Sequence, residues 1–376
     1  MKIIVLGTRG FPNTQGGVEK HSENLYPQLV KKGCEVVVLT RKPYVNPAIN
    51  SYQGVKLIPL SCPKNKFLEA FYHTFSGVFA AKKLKPDILH IHAIGPSLFI
   101  PLAKSLGLKV VMTNHGPDYN RKKWNWLGKI ILRTGEAWGS KAADQIICIS
   151  QSIADGIKKK YNRESKVIPN GVVMHQIVQS DNILKQYGLK KGKYILAVGR
   201  FVPEKGFHDL IEAFTMSQCH NVTTSQVKPW KLVIIGDADH EDKYSLELKR
   251  KAKNTPNVIL TGFLSGLPLQ ELYSHAGLFA LPSYYEGLPI VLLEAMSYGL
   301  SCVVSDIPAN REVGLQEDRY FKAGNIQQLA EKIIEFISKP LSPDEKSRQI
   351  SLISEKYDWG RIAQQTLEVY RLISGF

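Results

Sequence analysis

Pro282-Ser283-Tyr284-Tyr285-Glu286-Gly287-Leu288-Pro289-Ile290-Val291-Leu292-Leu293-Glu294-Ala295-Met296 sets two carboxylates around a Gly-Leu-Pro turn, the second inside an otherwise apolar run. Pro289 suits the first turn of a helix, and Gly299 can end that helix about ten residues later. Such a helix aims its free N–H groups and positive dipole end beyond the turn, which favours an anionic ligand. Glu286 falls on the loop beside that ligand. Glu294 falls more than a turn into the helix, on a face walled by apolar neighbours. A carboxylate there costs free energy unless donors satisfy it, and sugar hydroxyls are good donors. A helix-start Glu and a buried, salt-bridged Glu would give the same string, so the rest of the chain has to decide.

Working outward, Tyr194-Ile195-Leu196-Ala197-Val198-Gly199-Arg200-Phe201-Val202-Pro203-Glu204-Lys205-Gly206 reads as a strand, a glycine turn and two cations five residues apart, followed by a helical pattern over residues 207–214. Arg200 offers a planar fork and Lys205 a mobile point charge, a pair suited to a diphosphate. Gly206 lets the backbone approach closely. At the carboxyl end of a strand, where open α/β sheets bind ligands, these cations gain meaning that solvated surface charges lack. Near the start, Ile3-Ile4-Val5-Leu6-Gly7 is a short apolar strand, and Val18, His21, Leu25, Leu29 and Val30 mark a helix. Gly16-Gly17 sits in the loop that opens onto it. The GxGxxG spacing is missing, so a nicotinamide cofactor is not indicated.

The same alternation fills the chain. Apolar runs at 34–39, 88–91, 109–112 and 146–149, then at 194–198, 231–235, 257–260, 278–281 and 301–304, interleave with helical patterns and predict parallel βαβ units. A chain of 376 residues exceeds what one core usually holds, so two domains are expected. We place their boundary near Pro169-Asn170-Gly171, with residues 172–191 linking the halves and 217–229 as a long polar loop. Residues 357–370 read as a terminal helix.

Charge is distributed unevenly. Residues 1–170 carry 26 Lys+Arg against 10 Asp+Glu, and residues 171–376 carry 23 of each, so the entire net charge of +16 lies in the first part. Within it, Arg121-Lys122-Lys123-Trp124-Asn125-Trp126 and the aliphatics up to Arg133 mix cations, tryptophan and apolar side chains. Residues 64–75 have the same character. Basic, aromatic helices suit an anionic membrane surface, although core and rim positions of ordinary helices would give a similar string. Nucleic acid would also attract such charge, but helix-turn-helix, zinc-finger and RNA-binding signatures are absent, so no nucleic-acid partner is expected. The apolar run after Lys2 is five residues long, too short for a signal peptide, and no stretch approaches a membrane span. Five scattered cysteines without a CxxC pair suggest reduced thiols in a cytoplasm.

Taken in order, these motifs resemble a family 4 glycosyltransferase, the retaining class that uses nucleotide sugars. The resemblance spans essentially the whole chain: the Gly16-Gly17 loop, Thr113-Asn114-His115-Gly116, Ile168-Pro169-Asn170-Gly171-Val172, Gly199-Arg200 with Lys205-Gly206, Ile235-Gly236-Asp237, Val258-Ile259-Leu260-Thr261-Gly262-Phe263, the Glu286/Glu294 block and the terminal helix. Gly7-Thr8-Arg9-Gly10-Phe11-Pro12 and the stretch from Asn114 to Trp124 are similar to a bacterial subgroup that includes rhamnosyltransferases of surface-polysaccharide synthesis.

The resemblance implies the GT-B fold: two facing Rossmann-like α/β domains with parallel sheets and an interdomain cleft. It would comprise an acceptor-binding domain over 1–170, a nucleotide-sugar domain over 171–356, and a helix over 357–376 crossing back to the first. It implies a nucleoside diphosphate sugar as donor substrate and no required cofactor or metal. Asp237-Ala238-Asp239 spells a DxD triplet, which reads here as a strand-end turn because Arg200 and Lys205 already supply positive charge. By resemblance Arg200 and Lys205 hold the diphosphate, helped by N–H groups near Gly16, Gly17 and Gly287-Leu288-Pro289. Glu286 holds the donor sugar, Glu294 the ribose and His115 a sugar hydroxyl, while backbone at Gly236 and around Gly262-Phe263-Leu264 lies by the nucleotide. The expected acceptor is a lipid-linked or polysaccharide glycan, reached by peripheral contact with the inner face of the cytoplasmic membrane through Arg121, Lys122, Lys123, Trp124 and Trp126. A nucleotide-sugar epimerase of the same fold and a non-catalytic sugar-binding protein at the membrane are the alternatives.

Overall fold

The computed structural model describes residues 1–63, 65, 68–120, 124–220 and 230–375. It forms two compact units, Met1–Gly171 with Tyr357–Phe376, and Val172–Lys356.

The first unit holds β1 (Lys2–Leu6), β2 (Glu35–Arg41), β3 (Ser51–Tyr52), β4 (Val55–Leu60), β5 (Ile88–His92), β6 (Val110–Asn114), β7 (Gln145–Cys148) and β8 (Lys166–Val167), in the sheet order β3-β4-β2-β1-β5-β6-β7-β8. Every neighbouring pair is parallel except β3 with β4. Helices α1 (Gly17–Lys31), α2 (Glu69–Leu84), α3 (Ile100–Ser105), α4 (Trp126–Ala142) and α5 (Gln151–Tyr161) connect the strands. Strands β5 and β6 are buried at every position, as a doubly covered parallel sheet requires. The chain runs one way from β1 to β2 and the other way to β5, so the order reverses at the carboxyl ends of β1 and β5. Gly7 makes that junction possible: at φ +98°, a Cβ would stand 2.2 Å from the His92 carbonyl oxygen.

The second unit orders β9 (Tyr194–Val198), β10 (Lys231–Ile235), β11 (Val258–Leu260), β12 (Leu278–Leu281), β13 (Cys302–Ser305) and β14 (Tyr320–Phe321) as β11-β10-β9-β12-β13-β14, all parallel. Its helices are α6 (Asn182–Gln186), α7 (Phe207–His220), α8 (Lys243–Lys253), α9 (Gly266–His275), α10 (Ile290–Ser297), α11 (Pro308–Arg311), α12 (Ile326–Ser338) and α13 (Pro343–Lys356). Here the order reverses between β9 and β12. Ligands of open α/β sheets bind at such reversals. The loops after β9 and β12 carry Arg200, Lys205 and Glu286.

Helix α14 (Trp359–Ser374) returns to the first unit and packs on α1, burying Trp359, Ile362, Ala363, Thr366, Leu367 and Tyr370. Gly171 leaves room for it, since a Cβ there would lie 2.6 Å from the Trp359 ring.

The structure corrects the sequence reading in several places. Residues 172–191 are not only a linker: they contain α6, whose Ile183 and Leu184 are buried and whose N–H groups donate to Glu271 Oε1 at 2.7 and 3.3 Å. Of the expected loop over 217–229, residues 217–220 belong to α7, which continues to His220, and residues 221–229 lie outside the described part. Pro289 caps α10 from an extended conformation instead of opening its first turn. Strand β4 escaped the sequence reading because Pro59 interrupts its apolar pattern. The proline is tolerated beside β3, which pairs with only Lys56 and Val55. Strands β8 and β14 span two residues each, too few to show a period.

Candidate active site

In the second unit the two loops at the β9/β12 reversal lock together. Gly206, at φ +66°, is the contact point: a Cβ would stand 2.2 Å from the Pro282 carbonyl oxygen. The Tyr284 N–H donates to the Glu204 carbonyl at 2.8 Å, and the Tyr284 hydroxyl donates to Asp209 Oδ2 at 2.5 Å. This clamp delivers Lys205 Nζ to Glu286 Oε1 at 2.5 Å, and Ser283 Oγ donates to the same oxygen at 2.6 Å. The Lys205 and Glu286 side chains keep 16% and 11% of their surface, enough access for a ligand and enough burial to strengthen the pair. Arg200 Nη1 donates to Asp239 Oδ2 at 2.8 Å. Each cation that the sequence nominated for a diphosphate therefore rests on an acid. A diphosphate binding here would exchange a carboxylate for a more highly charged partner with more acceptor oxygens.

The Asp237-Ala238-Asp239 triplet has its carboxylates engaged, Asp239 with Arg200 and Asp237 Oδ1 with Lys249 at 3.0 Å. Gly236 ties the ends of β10 and β11 by donating its N–H to the Gly262 carbonyl at 2.9 Å. Beyond Gly262 (φ +76°), Phe263 is exposed and Leu264 half-buried. Gly287 is half-buried in the loop leading to α10, followed by buried Leu288 and Pro289. Glu294, half-buried on α10, has an aromatic wall with its own donor: Tyr273 Oη lies 3.1 Å from Oε2, and the Tyr273 ring stacks on Tyr298 at 5.4 Å. Burial, with the Glu294 charge added, pushes the Tyr273 hydroxyl well above its ordinary pKa, so it stays a donor. Sugar hydroxyls are thus not the only donors open to Glu294.

In the first unit Gly16 caps α1 and Gly17 begins it. The neighbouring acid is Glu19. Its Oε1 accepts the Arg9 N–H at 3.1 Å, and a Cβ on Gly16 would sit 2.0 Å from its Oε2. A carboxylate already lies against the loop expected to greet a phosphate. His115 follows β6 and meets His92, the last residue of β5, with Nε2 2.9 Å from His92 Nδ1. His21 on α1 completes a group whose ring nitrogens lie within 4.8 Å of one another, a spacing a metal ion could use. The 2.9 Å contact carries a proton between His92 and His115, which occupies one of the lone pairs such an ion would need.

Of the expected membrane-facing residues, Arg121, Lys122 and Lys123 lie outside the described residues. Trp126 is 72% exposed at the start of α4, and Trp124 is half-buried beside Gly128. Leu127, Ile130, Ile131 and Trp138 extend the exposed apolar face of α4, and Phe71, Tyr72, Phe75 and Phe79 do the same on α2. Both helices pack against the turn Pro96–Phe99, with the Phe99 ring 4.8 Å from that of Phe71. Among the described residues no helix is long and apolar enough to cross a membrane.

Sequence reasoning missed Asp239 as the partner of Arg200, Ser283 and Tyr273 as supports of the two glutamates, and Glu19 over the glycine loop. Only the register at which loops meet reveals them.

Two family models divide the chain between them: Glycosyltransferase Family 4 matches residues 15–176, and Glycosyl transferases group 1 matches residues 179–356. Sucrose-phosphate synthase from Thermosynechococcus elongatus superposes with a TM-score of 0.82 at 20% identity, covering 99% of this chain and 98% of the other. Anabaena HepE, solved in complex with UDP-glucose, does so with a TM-score of 0.77 at 20% identity, covering 98% and 99%. The two α/β units have the GT-B fold, and the two glycosyltransferase models that together match residues 15–176 and 179–356 make this chain a glycosyltransferase. Within that class, residues 15–176 are similar to family 4. A relative in Escherichia coli, the UDP-Gal:alpha-D-GlcNAc-diphosphoundecaprenol alpha-1,3-galactosyltransferase, is 29% identical over 67% of this chain and 66% of its own.

Proposed function

We propose that the chain is a retaining, metal-independent transferase that moves a hexose or deoxyhexose from a nucleoside diphosphate sugar to a lipid-linked or polysaccharide acceptor in cell-surface glycan synthesis, as in the rhamnosyltransferase-like subgroup. One observation carries the reading: Lys205 and Glu286 meet at 2.5 Å where the strand order of the second unit reverses. A phosphate binder and a hydroxyl binder side by side fit a sugar bonded to a diphosphate.

In this reaction the bond between the sugar C1 and the diphosphate oxygen breaks, and negative charge grows on the departing phosphate. Arg200 and Lys205 stabilise it, with N–H groups near Gly16, Gly17, Gly287 and Leu288; Pro289 has no N–H to give. The acceptor oxygen bonds to C1 on the face the phosphate leaves, and its proton passes to the phosphate. Glu286 and His115 hold sugar hydroxyls, Glu294 holds the ribose, and Gly236, Gly262, Phe263 and Leu264 flank the nucleotide. A relative named for UDP-Gal and a diphosphoundecaprenol-linked sugar, and a neighbour solved with UDP-glucose, support this choice of donor and acceptor classes. The exposed aromatic faces of α2 and α4, in the unit carrying the excess positive charge, suit peripheral contact with an anionic membrane on its cytoplasmic side.

The test is transfer from a panel of UDP-, GDP-, ADP- and dTDP-sugars to a lipid-linked acceptor, with and without EDTA, and the anomeric configuration read by NMR. We expect retained configuration, no loss with EDTA, and loss of transfer in Arg200→Ala and Lys205→Ala. Unchanged transfer in both variants, or an isomerised nucleotide sugar formed without acceptor, would overturn the assignment.

A further inference from the structure

Where β1, β5 and β6 end, the first unit buries more imidazole than the chemistry above uses. His90 and His92 on β5, Tyr26 on α1 and Tyr370 on α14 are all fully buried, and they join His115 in one hydrogen-bonded chain.

Proton placement along it follows from donor strength. Burial, with neighbouring imidazoles adding to it, holds the pKa values of His92 and His115 well below 6.5 and that of His90 at about 3, so near neutral pH each ring carries one proton. A phenol is a stronger donor than a neutral imidazole N–H, and an imidazole nitrogen a stronger acceptor than a phenol oxygen, so both tyrosines donate. The Tyr370 hydroxyl, 2.6 Å from His90 Nδ1, takes that acceptor ahead of Tyr26 at 3.1 Å. His90 then carries its proton on Nε2 and donates to Thr113 Oγ1 at 2.7 Å. Tyr26 also meets the Tyr370 oxygen, but His92 Nε2 is the stronger acceptor, so Tyr26 donates to it. His92 therefore holds its proton on Nδ1 and donates it to His115 Nε2 at 2.9 Å. The His115 proton can only be on Nδ1. That atom has no hydrogen-bond partner among the described residues, and His115 is half-buried, so part of its surface stays open. The His21 and His92 rings stand 5.1 and 5.2 Å from that of His115 and fix its rotation.

We propose that Tyr26 and His92 are positioning residues whose hydrogen bonds lock His115 in the Nδ1–H tautomer and present a neutral N–H donor to the donor sugar. The sugar contact rests on the reading of His115 given above; the tautomer lock does not. Neutrality matters because C1 gains positive charge as the phosphate departs, and an imidazolium beside it would oppose that charge.

Long-range 1H–15N correlation spectra of the 15N-labelled full chain read the tautomer directly, with His115→Gln assigning the signals. The expected pattern is a protonated Nδ1 and a bare Nε2 at His115; a protonated Nε2 overturns the proposal. In Tyr26→Phe, which removes one hydroxyl, His115 should shift toward the other tautomer, and an unchanged pattern in a folded variant overturns the role of Tyr26. Should that variant not fold, the wild-type spectrum still decides. Adding UDP-glucose separates the two layers: a locked tautomer whose His115 signals ignore the nucleotide sugar upholds the lock and removes the sugar contact. In transfer assays Tyr26→Phe should lower kcat on the order of tenfold with little change in KM, the share of one oriented hydrogen bond.

Discussion

Mild acid should destabilise the first unit well before its carboxylates protonate. Burial, opposed by the bond to Asn170, lowers the His21 pKa to about 4, and burial lowers those of His90 and His73 to about 3. In the unfolded chain each returns to about 6.5. Between those values the unfolded state binds more protons than the folded one. The stability these groups contribute is therefore complete above pH 6.5 and is lost as pH falls toward 4 and 3. A full proton of difference tilts the balance by roughly 1.4 kcal/mol per pH unit, and the unfolded imidazole is half-protonated at about pH 6.5, so going from about pH 6.5 to 5 costs about 1.6 kcal/mol per histidine and about 5 kcal/mol for the three. That is a large share of the roughly 5–15 kcal/mol by which a domain is stable. Four of the five tryptophans (Trp124, Trp126, Trp138 and Trp359) belong to the first unit, so guanidinium unfolding followed by tryptophan fluorescence reports on it. We expect the midpoint to fall steeply from pH 6.5 to 5, and His73→Leu to flatten the slope by one proton's share. A midpoint that is level across this window would refute the argument that these imidazoles are held neutral by burial.

Three further outcomes follow from the geometry. Lys205→Ala leaves the partly buried Glu286 without its cation and should cost about 1–3 kcal/mol, most of it recovered in Lys205→Ala/Glu286→Gln; a double mutant no more stable than the single would show the pair is uncoupled. Gly206→Ala places a Cβ 2.2 Å from the Pro282 carbonyl at φ +66° and should cost about 3 kcal/mol or more, read as a lower unfolding midpoint; a change below 1 kcal/mol would mean the loops are not clamped there. Trp126→Ser with Ile130→Ser should weaken binding to phosphatidylserine vesicles by about tenfold or more while leaving Tm unchanged, since both side chains are exposed; equal vesicle binding sinks the membrane reading.

Much of the fold is legible in the chain because period and punctuation are local properties. The apolar runs at 194–198, 231–235 and 278–281 coincide with β9, β10 and β12, whose residues are almost all buried because helices cover both sheet faces. Short or interrupted strands were not legible: β8 has two residues, and Pro59 hides β4. Helix α6 was missed because its stabilisation comes from Glu271, far away in sequence.

For the candidate site, the residue types Arg200, Lys205, Glu286, Glu294 and His115, and their places at strand ends and a helix start, could be read from the sequence alone. Spacing along a chain carries that information. Tertiary structure alone set which charges meet. Sheet order brings the loops after β9 and β12 together, so Lys205 finds Glu286, Arg200 finds Asp239, and Glu19 folds over Gly16. The histidine chain is the clearest case. Tyr26, His90, His92, His115 and Tyr370 come from three elements and one loop, and their shared protons exist only because parallel strands β5 and β6 end side by side under α1 and α14. Hydrogen bonds form between atoms about 3 Å apart, and sequence does not measure that distance.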